Sequence, residues 1–370
     1  MDFIPINVPI LGEEEKASVL SVLESGKLTD ASYEGGKYVK EFEAKVRRLL
    51  GVKHVVAVNS GTAALHSSLL ALGVKAGDEV VIPSFTFVAT ANVVLACGAK
   101  PVFVDTKKDY NLDPVLFRRA ITKRTRAVIP VHLYGYPADM DEINETAATH
   151  SISVVEDAAE SLGAEYKGKQ TGTLSDAGCF SMYATKVATS GEGGAVSTNS
   201  DEMEEKLRLV RNHGMVHGYD TRHLGFNYRM PEIPAAIASS QMDKLAGFLK
   251  ARARNAKLLG QEISMVEGSE FTQDALDRTH AYYLYTLRLR KNRDKVLKRL
   301  NEAGIGAAVY FKLPVHKTPL YVRLGYGRRT LRNTEEASNH VLSLPVHPRL
   351  GPEEIKRVAG SFIAATRGLL

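Results

Sequence analysis

Short apolar runs rich in valine and isoleucine recur through the first half of the chain, each followed by a segment of helix length. The runs are HVVAVNS at 54–60, DEVVIP at 78–83, PVFVD at 101–105, RAVIPVHLYG at 126–135 and ISVVED at 152–157. Between them, SGTAALHSSLLALG passes from a turn into a helix ended by Gly73, and TFVATANVVLACG reads as a helix capped by Gly98. Helices also fit PVLFRRAI and MDEINETAATH. Strands this apolar have no polar face to offer water. Alternating with helices, they imply an α/β fold with a mainly parallel sheet covered on both sides. Ahead of the first strand, Val39, Phe42, Val46 and Leu49 share one helical face, with Leu50 beside them and Gly51 as the stop.

After about residue 234 the pattern changes. A long helix is expected from Ala235 to Leu259, with a break near Gly247. AYYLYTLRLR then alternates like a strand with one exposed face, a helix ends at Gly304, and GAAVYF reads as a further strand. The chain of 370 residues is long enough for two units. The expected division is a large domain over residues 1–240, N-terminal segment included, and a smaller C-terminal α+β domain over 241–370.

Composition narrows the function classes. Hydrophobic residues at 44% and charged residues at 24% exclude a disordered chain. No apolar run has bilayer length, and MDFIPINVPILGEEEK lacks the basic start of a signal peptide, so a cytoplasmic protein without a membrane partner is expected. Cys97 and Cys179 are too few for a disulfide framework or a multi-cysteine metal site, and no metal is expected. The net charge of +6 is spread over mixed stretches such as RRAITKRTR at 118–126. That reads as solvated helix faces, not a nucleic-acid stripe, although a mildly basic protein attracts small anionic ligands.

In parallel sheets, ligands sit off the carboxyl ends of the strands. Two sequence features fall at such places, and a third lies downstream of them. Asn59-Ser60-Gly61-Thr62 is a glycine-containing turn opening a helix; free N–H groups, the helix dipole and the Thr62 hydroxyl suit a phosphate, and the same turn also serves simply to cap a helix. Glu156-Asp157 ends an apolar strand, where an acid either holds a cationic ligand group or caps the next helix. Lys186 precedes the glycine-rich Gly191–Gly194 loop; it is either a solvated surface lysine or a nucleophilic amine, and the second role asks for a pKa lowered by burial or nearby cations. Together, an anion nest, a carboxylate for a pyridine nitrogen and a primary amine are the set that pyridoxal phosphate requires.

With these residues in place, a wider resemblance follows. NSGTAAL, GDEVVIPSFTFVATANVV, GAKPVFVD, PVHLYGYPADMDEI, VVEDAAESLGAEYKGKQTGTLSDAGCFSMYATK, SGEGGAVST and LGFNYRMPEIPAAIASSQMDKL resemble the DegT/DnrJ/StrS family. LPVHKTPLY and LPVHPRL extend the likeness into the C-terminal third. These are fold-type-I, pyridoxal-phosphate-dependent aminotransferases of nucleotide-linked keto-sugars.

The resemblance implies a role for each matching residue. Lys186 would carry the cofactor covalently and move the proton during transamination, while Asp157 would pair with the pyridinium nitrogen. Glu160 would lie near the phenolic oxygen, and Phe87 would stack on the ring, its other reading being core packing. Gly61, Thr62 and Ser181 would hold the phosphate. Asn227 would reach the phosphate of a neighbouring subunit, making the functional unit a homodimer with shared sites. Relatives that carry histidine in place of Lys186 dehydrate the sugar, so the lysine speaks for transamination. The segment ASYEGG at 31–36 departs from the short glycine turn of relatives, near the expected substrate end.

His132, Tyr310 and His316 are candidate substrate contacts, and His132 reads equally as a hydrogen-bonded structural histidine. The implied reaction takes L-glutamate as donor and a nucleotide-diphospho-4-keto-6-deoxyhexose as acceptor. The alternatives are a 3-keto sugar nucleotide, a keto-inositol, or a cofactor-binding regulator that keeps the fold without the reaction.

Overall fold

The alternating runs assemble into one seven-stranded sheet. A computed structural model describes residues 2–273 and 275–370 of the chain. Its strands are β1 (His54–Val58), β2 (Glu79–Pro83), β3 (Lys100–Val104), β4 (Thr125–Val128) and β5 (Ser153–Asp157). A two-residue hairpin, β6 (Glu165–Tyr166) and β7 (Lys169–Gln170), stands apart, and β8 (Ala177–Ser181) and β9 (Gly194–Thr198) complete the sheet. The order is β1-β9-β8-β5-β4-β2-β3. Neighbours from β8 through β5, β4 and β2 to β3 are parallel, and β9 runs against both β1 and β8. Every residue of β2 is buried, as its apolar run requires.

The reversal at β9 shapes the site. It returns directly beside β8, so the connecting loop, which contains Lys186, is held at the carboxyl ends of the parallel strands. Gly194 opens β9, where a Cβ would fall 2.6 Å from the Phe180 carbonyl oxygen and 2.7 Å from the backbone of Ser60. Only glycine lets this strand pass against the Ser60 turn.

Several local expectations change in the folded chain. The long helix is unbroken from Glu232 to Ile263. Gly247 is exposed, and its propensity cost of about 1 kcal/mol is outweighed by burial of Leu245 and Phe248 on the opposite face. The expected boundary after residue 240 falls inside this helix. Its first turns pack Ala235 and Ala238 into the core beneath the main sheet, and its last turns pack Leu259 and Ile263 into a second core.

That second core also holds Ile4, whose backbone pairs with Gly304 and Gly306. It surrounds an antiparallel sheet of β10 (Ser269–Glu270), β11 (Tyr285–Leu289) and β12 (Val341–Leu344). β11 is the central strand and is buried except at Arg288, so it lacks the expected exposed face. GAAVYF forms only an isolated bridge, Ala308 to Ser343. The fourth apolar run stops as a strand at Val128, two residues before Pro130, which has no N–H for the ladder. On the helix Lys37–Leu50, Leu50 is buried and Leu49 is exposed. Its unexpected buried residue is Glu43, which accepts from Arg211 (2.9 Å), Arg208 (3.2 Å) and the Ala57 N–H (2.8 Å).

Candidate active site

Asp157 is the last residue of β5, paired in register with Cys179 of the neighbouring β8. Lys186 lies five residues beyond the end of β8, and the Ser60–Thr62 turn follows β1. All three therefore face one cavity of about 630 Å³ at the carboxyl edge of the sheet. Gly61, Thr62, Phe87, Glu160, Ser181 and Tyr310 line the same cavity.

The Lys186 side chain is 14% exposed, with its Nζ 3.3 Å from Glu160 Oε1. The amine also lies over the Tyr283 ring, 4.3 Å from its centre. Burial pulls this amine's pKa down, but the attraction of Glu160 above all, with Tyr283 and Asp157, outweighs it and leaves the value raised. Against the lowered value that a nucleophilic lysine asks for, this amine is held towards its charged form by the carboxylate beside it. Glu160 is itself fixed by the Tyr134 N–H, which donates to its other oxygen at 2.8 Å.

Asp157 is almost wholly buried. Thr90 Oγ1 donates to its Oδ2 at 2.9 Å and the Ala159 N–H to its Oδ1 at 3.3 Å. Burial raises its pKa, and the Thr90 hydrogen bond opposes the rise in part. A buried carboxylate with two neutral donors and a raised pKa is suited to a cationic N–H.

Ser60 caps the helix Gly61–Ala71 by accepting from the Ala63 N–H at 3.1 Å. The N–H groups of Gly61 and Thr62, in the first turn, have no carbonyl within the helix to bond. A Cβ on Gly61 would sit 2.9 Å from the Cβ of Ser181. The glycine lets the helix N-terminus and the end of β8 close into one cradle of N–H and hydroxyl donors. Such a cradle suits a phosphate.

Other expected residues are placed differently. Phe87 is 59% exposed and turned into the cavity, with Phe311 6.3 Å away, so it is not core packing. Asn227 does not line the cavity of its own chain; it is exposed, and Asn59 Nδ2 holds its carbonyl at 3.2 Å. His132 is corrected from a substrate contact to a structural group. It is fully buried, its Nδ1 accepts from the Ala138 N–H at 3.0 Å, and its Nε2 meets Glu156 at 3.0 Å. The Ala138 donor fixes Nε2 as the protonated nitrogen.

His316 is likewise buried away from the cavity, between Ser84 at 2.7 Å and Glu335 at 3.3 Å. A buried histidine at a strand end looks the same in sequence whether it serves a site or a core. The segment 31–36 also stays outside the cavity lining, with Arg211 donating to the Tyr33 carbonyl at 2.7 Å and Asn212 to that of Ala31 at 2.9 Å. Thr90 and Tyr283 were not foreseen. One is a polar residue inside an apolar helix and the other belongs to a strand-like alternation, and neither pattern signals a site.

The residues present therefore fit pyridoxal phosphate: donors for the phosphate, an acid for the ring nitrogen, an aromatic ring for its face and a primary amine. A family model described as the DegT/DnrJ/EryC1/StrS aminotransferase family matches residues 9–363. The chain belongs to the DegT/DnrJ/EryC1/StrS aminotransferase family. It is 39% identical over 368 residues to a GDP-perosamine synthase of Caulobacter vibrioides, covering 97% of each chain. It is also 39% identical to a UDP-N-acetyl-3-dehydro-alpha-D-glucosamine 3-aminotransferase of Acidithiobacillus ferrooxidans, covering 90% of this chain and 89% of that one.

Among solved structures, Helicobacter pylori PseC, an aminotransferase involved in the biosynthesis of pseudoaminic acid, superposes with a TM-score of 0.93 at 30% identity. That match covers 99% of this chain and 100% of PseC. As a DegT/DnrJ/EryC1/StrS member with a fold-type-I architecture, the protein is a pyridoxal-phosphate-dependent sugar aminotransferase acting on keto-sugar nucleotides. When bound, the cofactor supplies an electron-accepting ring. Among the described residues, no helix is long and apolar enough to cross a membrane, and no cluster of three metal-ligating side chains occurs.

Proposed function

We propose that the acceptor is a nucleotide-diphospho-4-keto-6-deoxyhexose, aminated at C4 with L-glutamate as donor, by a cytoplasmic homodimer with shared sites. The observation that carries the reaction type is the Lys186 amine in the same cavity as the buried Asp157 carboxylate and the Gly61–Thr62 donors. Lys186, Asp157, Glu160, Phe87, Ser181, Gly61 and Thr62 are assigned the cofactor roles given above, and Tyr310 remains a substrate-facing residue. Likeness to the GDP-perosamine synthase along nearly the whole of both chains supports a nucleotide-linked sugar. A C3 ketone is the second reading, favoured by equal identity to the 3-aminotransferase over a shorter stretch.

The test is a panel of keto-sugar nucleotides, with the ketone at C4 or C3, added singly to the pyridoxamine-loaded protein. The 4-keto-6-deoxyhexose is expected to restore the visible absorbance of the pyridoxal form fastest, and faster turnover of a 3-keto sugar would overturn the assignment. The exposed side chain of Asn227, outside its own cavity, supports the shared site. Sedimentation at twice the chain mass is expected, and a fully active monomer would exclude sharing.

A further inference from the structure

Arg252 is a large cation that the site described so far does not use. It lies on the helix Glu232–Ile263 and is 2% exposed. Among the described residues, every hydrogen-bond acceptor it meets is neutral. A buried charge without a counter-charge is costly, and an apolar residue of similar volume would pack there without that cost. What distinguishes the guanidinium is its planar fork, which donates to several acceptors at once.

Its acceptors lead to Lys186 by two routes. Nη2 donates to Asn7 Oδ1 at 2.9 Å, and Asn7 Nδ2 donates to the carbonyl of Thr185, the residue before the lysine. Nη1 donates to the carbonyls of Tyr282 (3.0 Å) and Tyr283 (3.2 Å), and the Tyr283 ring lies beneath the lysine amine. The routes join, because Thr185 Oγ1 and the Tyr283 hydroxyl are 3.0 Å apart. The Asn7 amide has one possible orientation. Its oxygen faces two donors, Arg252 and the Val8 N–H at 3.1 Å, and its nitrogen faces a carbonyl. Four residues from distant segments thus close a ring behind the lysine.

We infer that Arg252 is a positioning residue for Lys186, fixing the Thr185–Lys186 backbone through Asn7 and the Tyr283 ring through its carbonyl. The inference goes beyond the choice of sugar and rests only on the lysine-bound cofactor. Asn7→Asp separates this role from simple stability. It keeps the acceptor that faces Arg252 and Val8, gives the buried guanidinium a counter-charge, and removes the donor to Thr185.

Wild type, Asn7→Asp and Arg252→Met are compared as holoenzymes by thermal melting, by visible circular dichroism per bound cofactor, and by kcat and KM for the sugar. Dichroism of a bound chromophore reports its orientation and not the stability of the fold. Asn7→Asp is expected to melt at or above wild type while its visible dichroism changes in sign or shrinks, with kcat down about tenfold or more and KM nearly unmoved. Folded Arg252→Met should change in the same direction. Wild-type dichroism and kcat in folded Asn7→Asp, at whatever melting temperature, overturn the inference.

Discussion

Replacing Lys186 by alanine is expected to abolish transamination while leaving a folded protein that still takes up pyridoxal phosphate. The cradle formed by Gly61, Thr62 and Ser181, the Phe87 face and the Asp157 carboxylate all belong to other segments and keep their places. Glu160 loses the amine 3.3 Å away but retains the Tyr134 N–H at 2.8 Å, so its carboxylate is not left bare. Stability should therefore change little. The reaction should not survive, because among the described residues no second lysine lines the cavity to form the covalent link or to carry the proton. A loss on the order of 10⁴-fold or more in kcat is expected for removal of a group that acts both as nucleophile and as proton carrier. Borohydride reduction followed by peptide mass analysis gives the direct check. The wild type should gain the cofactor's mass on the peptide containing Lys186, and the variant should gain none. Cofactor mass on any other lysine of the wild type would remove the basis of the assignment.

That lysine was legible in the sequence because its context is local. A strand end, a small-residue turn and a glycine-rich return loop are each written in consecutive residues. The same holds for Gly61, Thr62 and Asp157, which sit where strand meets helix. What surrounds them was not legible. Thr90 reaches Asp157 across 67 positions and Asn7 reaches Thr185 across 178, so no window of sequence contains either pair. Arg252 looks in sequence like one more charge on a helix rich in arginine and lysine, and only packing shows it buried. His132 was ambiguous for the opposite reason. Its neighbours do place it near the site, but Glu156 and the Ala138 N–H occupy both ring nitrogens before any ligand can. The break expected at Gly247 failed on magnitude: a local propensity loss of about 1 kcal/mol is small beside the tertiary burial of a long helix. Local rules located the candidate groups, and the long-range hydrogen bonds decide how firmly they are held.

The second large effect is expected at Asp157. Asp157→Asn keeps the shape and the capacity to accept from Thr90, but it removes the negative charge. Burial already pushes this carboxyl's pKa upward, so the fold bears a cost to keep it charged. A cation placed against it would recover that cost in both partners: the carboxylate would keep a bound ring nitrogen protonated, and that charge would keep the carboxylate ionised. An opposite charge at close range shifts a pKa by about 1–3 units, which is about 1.4–4 kcal/mol of preference for the charged form. A ring kept protonated by Asp157 would accept electrons better, so most of that preference would be expressed in the barrier to proton removal at the substrate carbon. The asparagine variant is expected to lose about 10²- to 10³-fold in kcat for both half-reactions, with cofactor affinity falling less because the phosphate cradle is untouched. Measuring the two half-reactions separately decides the matter. Equal losses in both identify the ring nitrogen, which the two directions share. A loss confined to the sugar half would instead make Asp157 a substrate contact, and a change below about threefold would show that the buried charge does not govern the ring at all.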